Sequence, residues 1–410
     1  MKRNLAPLFV GVTRFSLYIP GAQQWNLSAG SGSEDEYRKQ LFDQDRLDLR
    51  LDIFLNYSLP QLELASEGFD VVHAVQYSSL LPEKYRNSLE AAEKEYDFLK
   101  LIQSDDPQVH SDCVHQIVEE RAKLCGYDVL NYAWYRLDDD DLLGTSFFDR
   151  LSEYVSPAFN GFVVSFGLGY SAFYSDGLFH NFRSLHRPKN SVGQAYICEF
   201  VAKTSSYAEA NQYNHAKVDL AIPTILDSRK AGFITTLHPS QDGHDRGDGA
   251  SVFGAILKEQ SMLPPASVSP SFSAEFPVVK SVLENINYSL VIKKSVEVST
   301  NPSIWAVEIT DQLIELRFDI SSDVGTQDSR IFVGFEFDEM ALPVPHWPWI
   351  EFQGTQLVAG NLIANGSEIR LYLLLPKEYV GKSALLRLWH SRSYVGEIKL
   401  KNFTAVGLNG

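Results

Sequence analysis

The chain has 410 residues, of which 44% are hydrophobic and 21% are charged, and its formal net charge is −16. This composition is typical of a globular protein with a large core and two, or at most three, domains. The strong negative charge argues against a broad nucleic-acid-binding surface. The three cysteines lack a Cys-x-x-Cys spacing. They indicate a reducing compartment rather than a disulfide framework, so we expect a cytoplasmic protein.

The first apolar run is short. It extends from Leu8 to Val12 and is interrupted by Thr13-Arg14, which is too short for the core of a signal peptide. Elsewhere, no stretch approaches the roughly 20 apolar residues that span a bilayer. We therefore expect no transmembrane segment, and peripheral contact with a membrane stays open.

The run from Leu8 to Val12 predicts a first strand that ends at Thr13 and Arg14. A hydroxyl and a guanidinium at a strand end could contact a nucleotide phosphate or base, although a surface position for Arg14 fits the sequence equally well. Beyond it, the pattern alternates between strands and helices. The helices are predicted at 38–56, 82–100 and 114–125, and the second strand at 69–75. This alternation predicts a mostly parallel α/β sheet.

An acidic run, Asp138 to Asp141, follows the apolar segment Val129 to Tyr135, which predicts a buried strand. In an open α/β sheet, ligands bind at the edge where such strands end. Four adjacent carboxylates repel one another, and a divalent cation that bridges to substrate phosphates would neutralise them. A solvated turn or a helix start is the alternative for any short acidic run.

A later strand is predicted from Ala231 to Leu237, and it ends at His238 before a loop rich in Gly and Asp. A lone histidine is more often structural than a ligand. The strand-end position nevertheless makes His238 a candidate. Between these strands, Tyr170 to Phe182 is rich in aromatic residues and contains Gly177, which predicts a loop at the substrate site.

Four prolines between residues 263 and 277 predict a linker. Residues 1–262 then form the α/β domain. Residues 278–410 contain seven alternating or β-branched runs without a long helical pattern, which predicts an antiparallel β-sandwich. The predicted fold is thus an α/β domain followed by a C-terminal accessory sandwich.

Three stretches resemble the putative rhamnosyltransferase family, which is similar to the A-type fold of nucleotide-sugar glycosyltransferases. They are Thr13-Arg14-Phe15, the segment Arg46 to Leu62 with its Leu59-Pro60, and Tyr135 to Leu142. The resemblance covers about residues 7–245. The chain has Asp139 where the family pattern has Asn, and His238 is followed by Pro239 without the family's Gly-x-Asn.

The resemblance implies transfer of a sugar, with rhamnose suggested by the family name, from a nucleotide diphosphate sugar to a glycan or lipid-linked glycan acceptor in cell-surface polysaccharide synthesis. It implies Mn²⁺ or Mg²⁺ as cofactor. The implied metal ligands are Asp138, Asp140 and His238, and the implied cofactor-binding residues are Thr13, Arg14, Arg136, Asp138 and Asp139. A general base is also needed. Glu199, Asp219 and Asp242 are the candidates, and we select Asp242.

Two other classes of protein stay open. A metal-dependent phosphohydrolase could use the same acidic loop, but the chain has no Gly-rich phosphate loop with a lysine. A non-catalytic carbohydrate-binding protein would instead use the C-terminal sandwich. The sandwich could alternatively contribute to a homodimer.

Overall fold

The structure is a computed structural model. It describes residues 7–19, 33–105, 109–175, 177–210, 213–238, 241, 263–264, 266, 270–279, 289–299, 303–310, 313–321, 330–337, 349–352, 355–363, 368–374, 379–390 and 398–407.

Twelve strands are described before residue 263. They are β1 Leu8–Phe15, β2 Asp70–Tyr77, β3 Leu99–Gln103, β4 Val129–Arg136, β5 Leu142–Leu143, β6 Val163–Phe166, β7 Leu168–Ser175, β8 Leu178–His186, β9 Ala195–Val201, β10 Ser206–Ala208, β11 Thr224–Asp227 and β12 Phe233–Leu237. The central sheet has the order β11-β6-β9-β4-β1-β2-β3, with β10 beside β9. Strand β9 runs antiparallel to β4 and β6, and the pairs among β1 to β4 are parallel. The prediction of a mostly parallel sheet is therefore confirmed.

Seven α-helices are described. They are α1 Glu34–Leu41, α2 Gln44–Ile53, α3 Leu59–Ser66, α4 Glu83–Glu95, α5 Val109–Cys125, α6 Phe147–Ser152 and α7 Pro270–Glu275. A π-helical turn, Phe54–Ser58, joins α2 to α3, and Pro60 lies in the first turn of α3, where no backbone donor is needed. Short 3₁₀ turns lie at Pro157–Phe159 and His215–Leu220.

The helices cover both faces of the central sheet. Strand β1 sends Leu8 and Val10 to one face, where they pack in a core with Val114 and Ile117 of α5. Its Phe9 lies on the opposite face, in a core that also contains residues of α3 and α6. Burial on both faces explains why β1 is an unbroken apolar run in the sequence.

A second sheet has the order β5-β12-β7-β8. It corrects the prediction of a loop from Tyr170 to Phe182, because these residues belong to the antiparallel hairpin of β7 and β8. Tyr174 and Phe179 are buried in its core, and Gly177 takes a positive φ of 81° at the turn. The aromatic residues that suggested a substrate loop are therefore core residues of a hairpin.

Helix α7 lies within the segment predicted as a linker. Its Phe272, and Phe276 just after it, are buried in a core with Tyr57, Tyr174 and other residues of the α/β domain. Phe272 packs edge-on against Tyr170, with ring centroids 5.1 Å apart. Residues 270–279 therefore belong to the packing of the first domain, which a proline count cannot reveal.

The described C-terminal strands form two antiparallel sheets, with the orders β13-β21-β15-β19 and β14-β20-β16-β18-β17. The strands are β13 Ser289–Val298, β14 Ser303–Glu308, β15 Leu313–Ser321, β16 Arg330–Phe337, β17 Trp349–Phe352, β18 Thr355–Ile363, β19 Glu368–Leu374, β20 Ser383–His390 and β21 Ile398–Gly407. The antiparallel arrangement agrees with the prediction. Trp305 of one sheet stacks on Phe403 of the other, with centroids 5.2 Å apart.

Among the helices that the structure describes, none combines the length and the apolar character needed to cross a bilayer.

Candidate functional site

The candidate site lies where β4 ends beside β1, at the carboxyl edge of the central sheet. The two strands are parallel, and Val12 is paired with Arg136. The Leu137 amide donates to the Val12 carbonyl over 3.1 Å, which extends the contact one residue beyond β4. The acidic run therefore begins beside the end of β1, at the edge where parallel sheets bind ligands.

A buried hydrogen-bond chain supports the start of the acidic run. The Thr13 hydroxyl donates to the Leu137 carbonyl over 2.7 Å and lies 2.8 Å from His73 Nε2. His73 Nδ1 lies 3.1 Å from the Tyr135 hydroxyl. Burial lowers the pKa of His73 to about 3, so the imidazole is neutral. With the Thr13 proton committed to Leu137, the His73 Nε2–H donates to Thr13, and the tyrosine hydroxyl donates to Nδ1.

This chain corrects the prediction that Thr13 contacts a nucleotide. The Thr13 side chain is fully buried and its hydroxyl is engaged on both sides. The hydrogen-bond chain also requires glycine at position 11, because a Cβ there would lie 2.0 Å from His73 Nδ1 and 2.5 Å from the Tyr135 hydroxyl. Thr13 therefore fixes the backbone of the acidic loop rather than a ligand.

The outer carboxylates of the acidic run point to different partners. Asp138 is half-buried and accepts hydrogen bonds from Arg136 Nε at 3.0 Å and Nη2 at 2.8 Å. Asp141 is buried and accepts from the Thr236 backbone amide over 3.0 Å. Asp138 thus faces the end of its own strand, whereas Asp141 ties the loop to β12.

The inner carboxylates share one arginine. Arg50 of α2 pairs with Asp139, and its Nη2 lies 3.2 Å from Asp140 Oδ2. The same Asp140 oxygen lies 2.9 Å from His238 Nε2. All four side chains are less than a tenth exposed. The structure thus brings together Asp139, Asp140 and His238, three residues predicted from the sequence, around an arginine that was not predicted.

Burial and this arginine set the charges of the cluster. Burial raises the pKa of Asp139 to about 7 and raises the pKa of Asp141 well above its ordinary value. Burial also disfavours the charged form of Asp140, but Arg50 and the hydrogen bond from His238 hold its pKa below the ordinary value. Burial lowers the pKa of His238, so its imidazole is neutral near pH 7. Asp140 is therefore the carboxylate of this cluster that stays ionised across the neutral pH range.

Comparison with known families identifies the protein class. The family described as "Putative rhamnosyl transferase" matches residues 8–248, which is more than half of the chain and includes β1, the acidic run and His238. The chain belongs to this family. The resemblance of Thr13-Arg14-Phe15 and Tyr135 to Leu142 to rhamnosyltransferases is thereby confirmed, and the family name describes glycosyltransferases. No curated protein matches the chain.

Several solved structures share partial similarity with this rhamnosyl transferase family member. A 4-diphosphocytidyl-2C-methyl-D-erythritol synthase is 11% identical, with 55% of this chain and 90% of that chain covered and a TM-score of 0.26. TmCBM61 in complex with β-1,4-galactotriose is 10% identical, with 28% and 68% covered and a TM-score of 0.18. The Caldicellulosiruptor saccharolyticus CBM27-1 in complex with mannohexaose is 10% identical, with 28% and 72% covered and a TM-score of 0.15.

The spacing of two side chains in the cluster would allow both to bind one divalent cation. Asp140 Oδ2 and His238 Nε2 are 2.9 Å apart, close to the roughly 3 Å between neighbouring octahedral ligands that are each about 2.1 Å from an ion. Asp139 Oδ2 is buried without a hydrogen-bond partner. Within the described residues, no three His, Cys, Asp or Glu side chains surround one point. Mg²⁺ commonly binds in this way, with one or two carboxylates supplemented by water and phosphate.

The structure does not bring Asp138 into this pair. Its carboxylate is bonded to Arg136, and it forms no three-donor group with Asp140 and His238. The chain turns at Asp139 and Asp140, where the Asp141 amide donates to the Asp138 carbonyl over 3.2 Å. Asp138 and Asp140 therefore do not share one face, as residues i and i+2 of a strand would. An Asp-x-Asp spacing alone could not show which aspartate turns toward His238.

The other predicted residues have different positions. Arg14 is partly buried on β1, paired in register with Gln76 of β2. The Arg136 side chain is 38% exposed and extends beside Asp138. Asp242, the predicted base, lies outside the described residues.

The two alternative bases do not lie in the cluster. Glu199 of β9 is paired in register with Asn131, which is five residues, or about 17 Å, before Arg136 along β4. Asp219 is exposed and bonded to Lys189 over 2.7 Å. Glu199 thus lies away from the end of β4, and Asp219 is engaged by Lys189, so Asp242 stays the prediction.

Sequence reasoning missed two buried arginines of α2, Arg46 and Arg50. Their i,i+4 spacing places both on one side of the helix, which is the signal that could have found them. Arg46 Nη1 donates to Ser16 Oγ over 2.8 Å. Ser16 follows β1 with a φ of 49°, a left-handed conformation that is uncommon for serine. Arg46 therefore secures the backbone after β1, and Arg50 secures the acidic loop.

Proposed function

We propose that the protein is a metal-dependent glycosyltransferase. It transfers a sugar, rhamnose by the family name, from a nucleotide diphosphate sugar to a glycan or lipid-linked glycan acceptor in polysaccharide synthesis. The observation that carries this proposal is the buried pair of Asp140 and His238 at the carboxyl edge of the sheet, in a chain of the rhamnosyl transferase family. An A-type glycosyltransferase fold with a C-terminal sandwich, cytoplasmic location and homodimerisation are further parts of the proposal.

The chain's own residues would act on the diphosphate mainly through charge. A divalent cation, Mn²⁺ or Mg²⁺, held by Asp140 and His238 would neutralise the charge that develops on the leaving diphosphate. Asp139, with its unpartnered Oδ2, supports the bound water around such an ion. Arg136 of β4 and Arg14 of β1 would contact the phosphate oxygens. Asp242 would deprotonate the acceptor hydroxyl.

In this proposal, Arg50 links the binding of the cation to the binding of the diphosphate. Its guanidinium pairs with Asp139 and Asp140, so it balances charge that would otherwise be buried without a counter-ion. Since an incoming cation uses the same Asp140 oxygen, Arg50 must then share that carboxylate or turn toward the diphosphate. Binding of the ion and of the diphosphate is therefore expected to be mutually dependent.

Thermal unfolding with a panel of nucleoside diphosphates, each with and without Mn²⁺, tests the proposal. A ligand at a hundred times its dissociation constant adds about 2.7 kcal/mol to the free energy of unfolding. We expect one nucleotide to raise the melting temperature only with Mn²⁺, and Asp140→Asn to abolish that increase. Glu95→Gln, at an exposed position at the end of α4, is the control that should retain it.

An increase that is independent of Mn²⁺ and insensitive to Asp140→Asn would contradict the metal site. Hydrolysis of a simple phosphoester without any sugar transfer would support the phosphohydrolase alternative instead. Glycan binding without any nucleotide effect would favour the carbohydrate-binding alternative.

A further inference from the structure

Glu275 is a buried carboxylate that the family match does not include. It lies at the end of α7, beyond residue 248, and is 2% exposed. Its Oε1 accepts hydrogen bonds from the backbone amide of Ser146 at 3.0 Å and from the Ser146 hydroxyl at 2.6 Å. Its Oε2 pairs with Lys230. Glu275 thus contacts Ser146, which follows β5, and Lys230, which precedes β12.

The backbone of Glu275 contributes to the same contact. Its carbonyl accepts from the Thr145 amide and from Gln61 Nε2, both over 3.0 Å. Gly144 makes the approach feasible, because a Cβ there would lie 2.2 Å from Glu275 Oε1. Residues 144–146 directly follow β5. Thr145 is bound by the main chain of Glu275, and Ser146 by its side chain.

These contacts lie at one end of the strand pair β5 and β12. The acidic run and His238 lie at its other end. Strand β5 starts immediately after Asp141, and β12 ends immediately before His238. The strands are antiparallel, with Leu142 opposite Ile234, and Gly144 donates to the Gly232 carbonyl over 2.8 Å. Glu275 therefore holds the end of the pair that is remote from Asp140 and His238.

This strand pair needs support from outside. Strand β5 has only two residues, whereas strands usually have five or six. The register of so short a strand is weakly specified by its own pairing. A shift of one residue along β12 would separate the Asp140 carboxylate from the His238 imidazole, because each residue advances a strand by about 3.3 Å.

We propose that Glu275 is a positioning residue of the active site. By binding the residues after β5 and the lysine before β12, it fixes the register of β5 on β12 and thereby the 2.9 Å separation of Asp140 and His238. The consequence for metal binding rests on the proposed function, whereas the register itself does not. The catalytic unit accordingly extends through α7, past the part of the chain that matches the family.

The test compares three variants of the full chain: Glu275→Ala, Glu275→Gln and Leu89→Ala. Glutamine retains the carbonyl oxygen that Ser146 needs. Leu89 is fully buried in α4, in a core with residues of α2 and β2, and its truncation is the control for a general loss of stability. Hydrogen–deuterium exchange reports the pairing of residues 142–147 with 230–237. The EPR signal of free Mn²⁺, titrated with each protein, reports the affinity of the metal site.

We expect Glu275→Ala to speed exchange in both segments at least tenfold and to weaken Mn²⁺ binding at least tenfold at a temperature where the variant is folded. Glu275→Gln keeps an oxygen for Ser146 but loses the charge pair with Lys230, so it should lie between the wild type and Glu275→Ala in both measurements. Leu89→Ala should leave the exchange of these segments and the Mn²⁺ affinity unchanged. Unchanged exchange in Glu275→Ala would overturn the proposal, as would equal effects in Leu89→Ala. If the wild type binds no Mn²⁺, the metal-dependent function fails, and the exchange measurement still decides the role of Glu275.

Discussion

The buried, neutral imidazole of His73 makes the stability of the protein depend on pH. In the unfolded chain its pKa is about 6.5, whereas burial lowers it to about 3 in the folded protein. Between these values the unfolded state binds a proton that the folded state rejects. Stability from this residue is therefore complete above pH 6.5 and falls as the pH decreases toward 3.

We predict a loss of about 2 kcal/mol from His73 between pH 7.5 and pH 5, since each pH unit below 6.5 costs about 1.4 kcal/mol. Urea unfolding of the wild type and of His73→Gln at both pH values measures it. Glutamine can donate to Thr13 and accept from Tyr135 but does not titrate. The difference between the two proteins in their pH dependence should be about 2 kcal/mol, and parallel pH profiles would refute the assignment.

Charge balance predicts a large loss of stability when Arg50 is replaced. Removing one partner of a buried ion pair typically costs about 3–5 kcal/mol, because the other charge stays buried. We expect Arg50→Met to lose that much in urea unfolding, partly offset by protonation of Asp139, whose pKa is already raised to about 7. Arg38→Met is the control. Arg38 pairs with Asp35 at the surface, with half of its side chain exposed, and such pairs contribute about 0–1 kcal/mol.

Mn²⁺ extends the same experiment to the metal site. If the ion binds at Asp140 and His238, it supplies the charge that Arg50→Met lacks, so the metal should stabilise this variant more than the wild type. Equal stabilisation of both proteins would indicate that the ion binds elsewhere.

At the scale of elements, the strands of the central sheet could be predicted because burial on both faces leaves unbroken apolar runs such as Leu8 to Val12. The hairpin of β7 and β8 could not, because its aromatic residues and Gly177 are equally typical of a loop. Helix α7 was hidden by Pro270, which occupies its first position, where proline is favoured. In both cases the deciding information is the tertiary partner, which local composition does not contain.

In the candidate site, too, the residues could be predicted from the sequence but their tertiary partners could not. Asp140 and His238 were predictable as candidates because each follows a buried strand. Their meeting was not, because β4 belongs to the central sheet and β12 to the second sheet. The arginine that pairs with Asp139 and Asp140 was not predictable, because Arg50 lies in α2, 89 residues before Asp139. Thr13 was assigned to a ligand for the same reason, since its true partners, His73 and Leu137, are distant in sequence.

At the scale of the whole molecule, the first domain ends later than the composition suggested. The proposed boundary at residue 262 would remove Phe272, Phe276 and Val279 from a core that also contains Ile53 and other residues of the α/β domain. Truncation of one buried phenylalanine costs about 3–5 kcal/mol, while a whole domain is stable by only about 5–15 kcal/mol. We therefore expect residues 270–279 to be essential to the fold of the first domain.

We predict that a chain ending at residue 279 folds cooperatively and that a chain ending at residue 262 does not. Circular dichroism during thermal unfolding measures this directly. The chain ending at residue 279 should show one sharp transition, and the shorter chain a broad transition or none. Equal cooperativity in the two chains would refute the extended boundary. The variant Glu275→Ala within residues 1–279 separates the packing of this segment from its effect on the metal site. It should retain the sharp transition, because all three apolar side chains stay in the core. In a Mn²⁺ titration it should bind the metal more weakly.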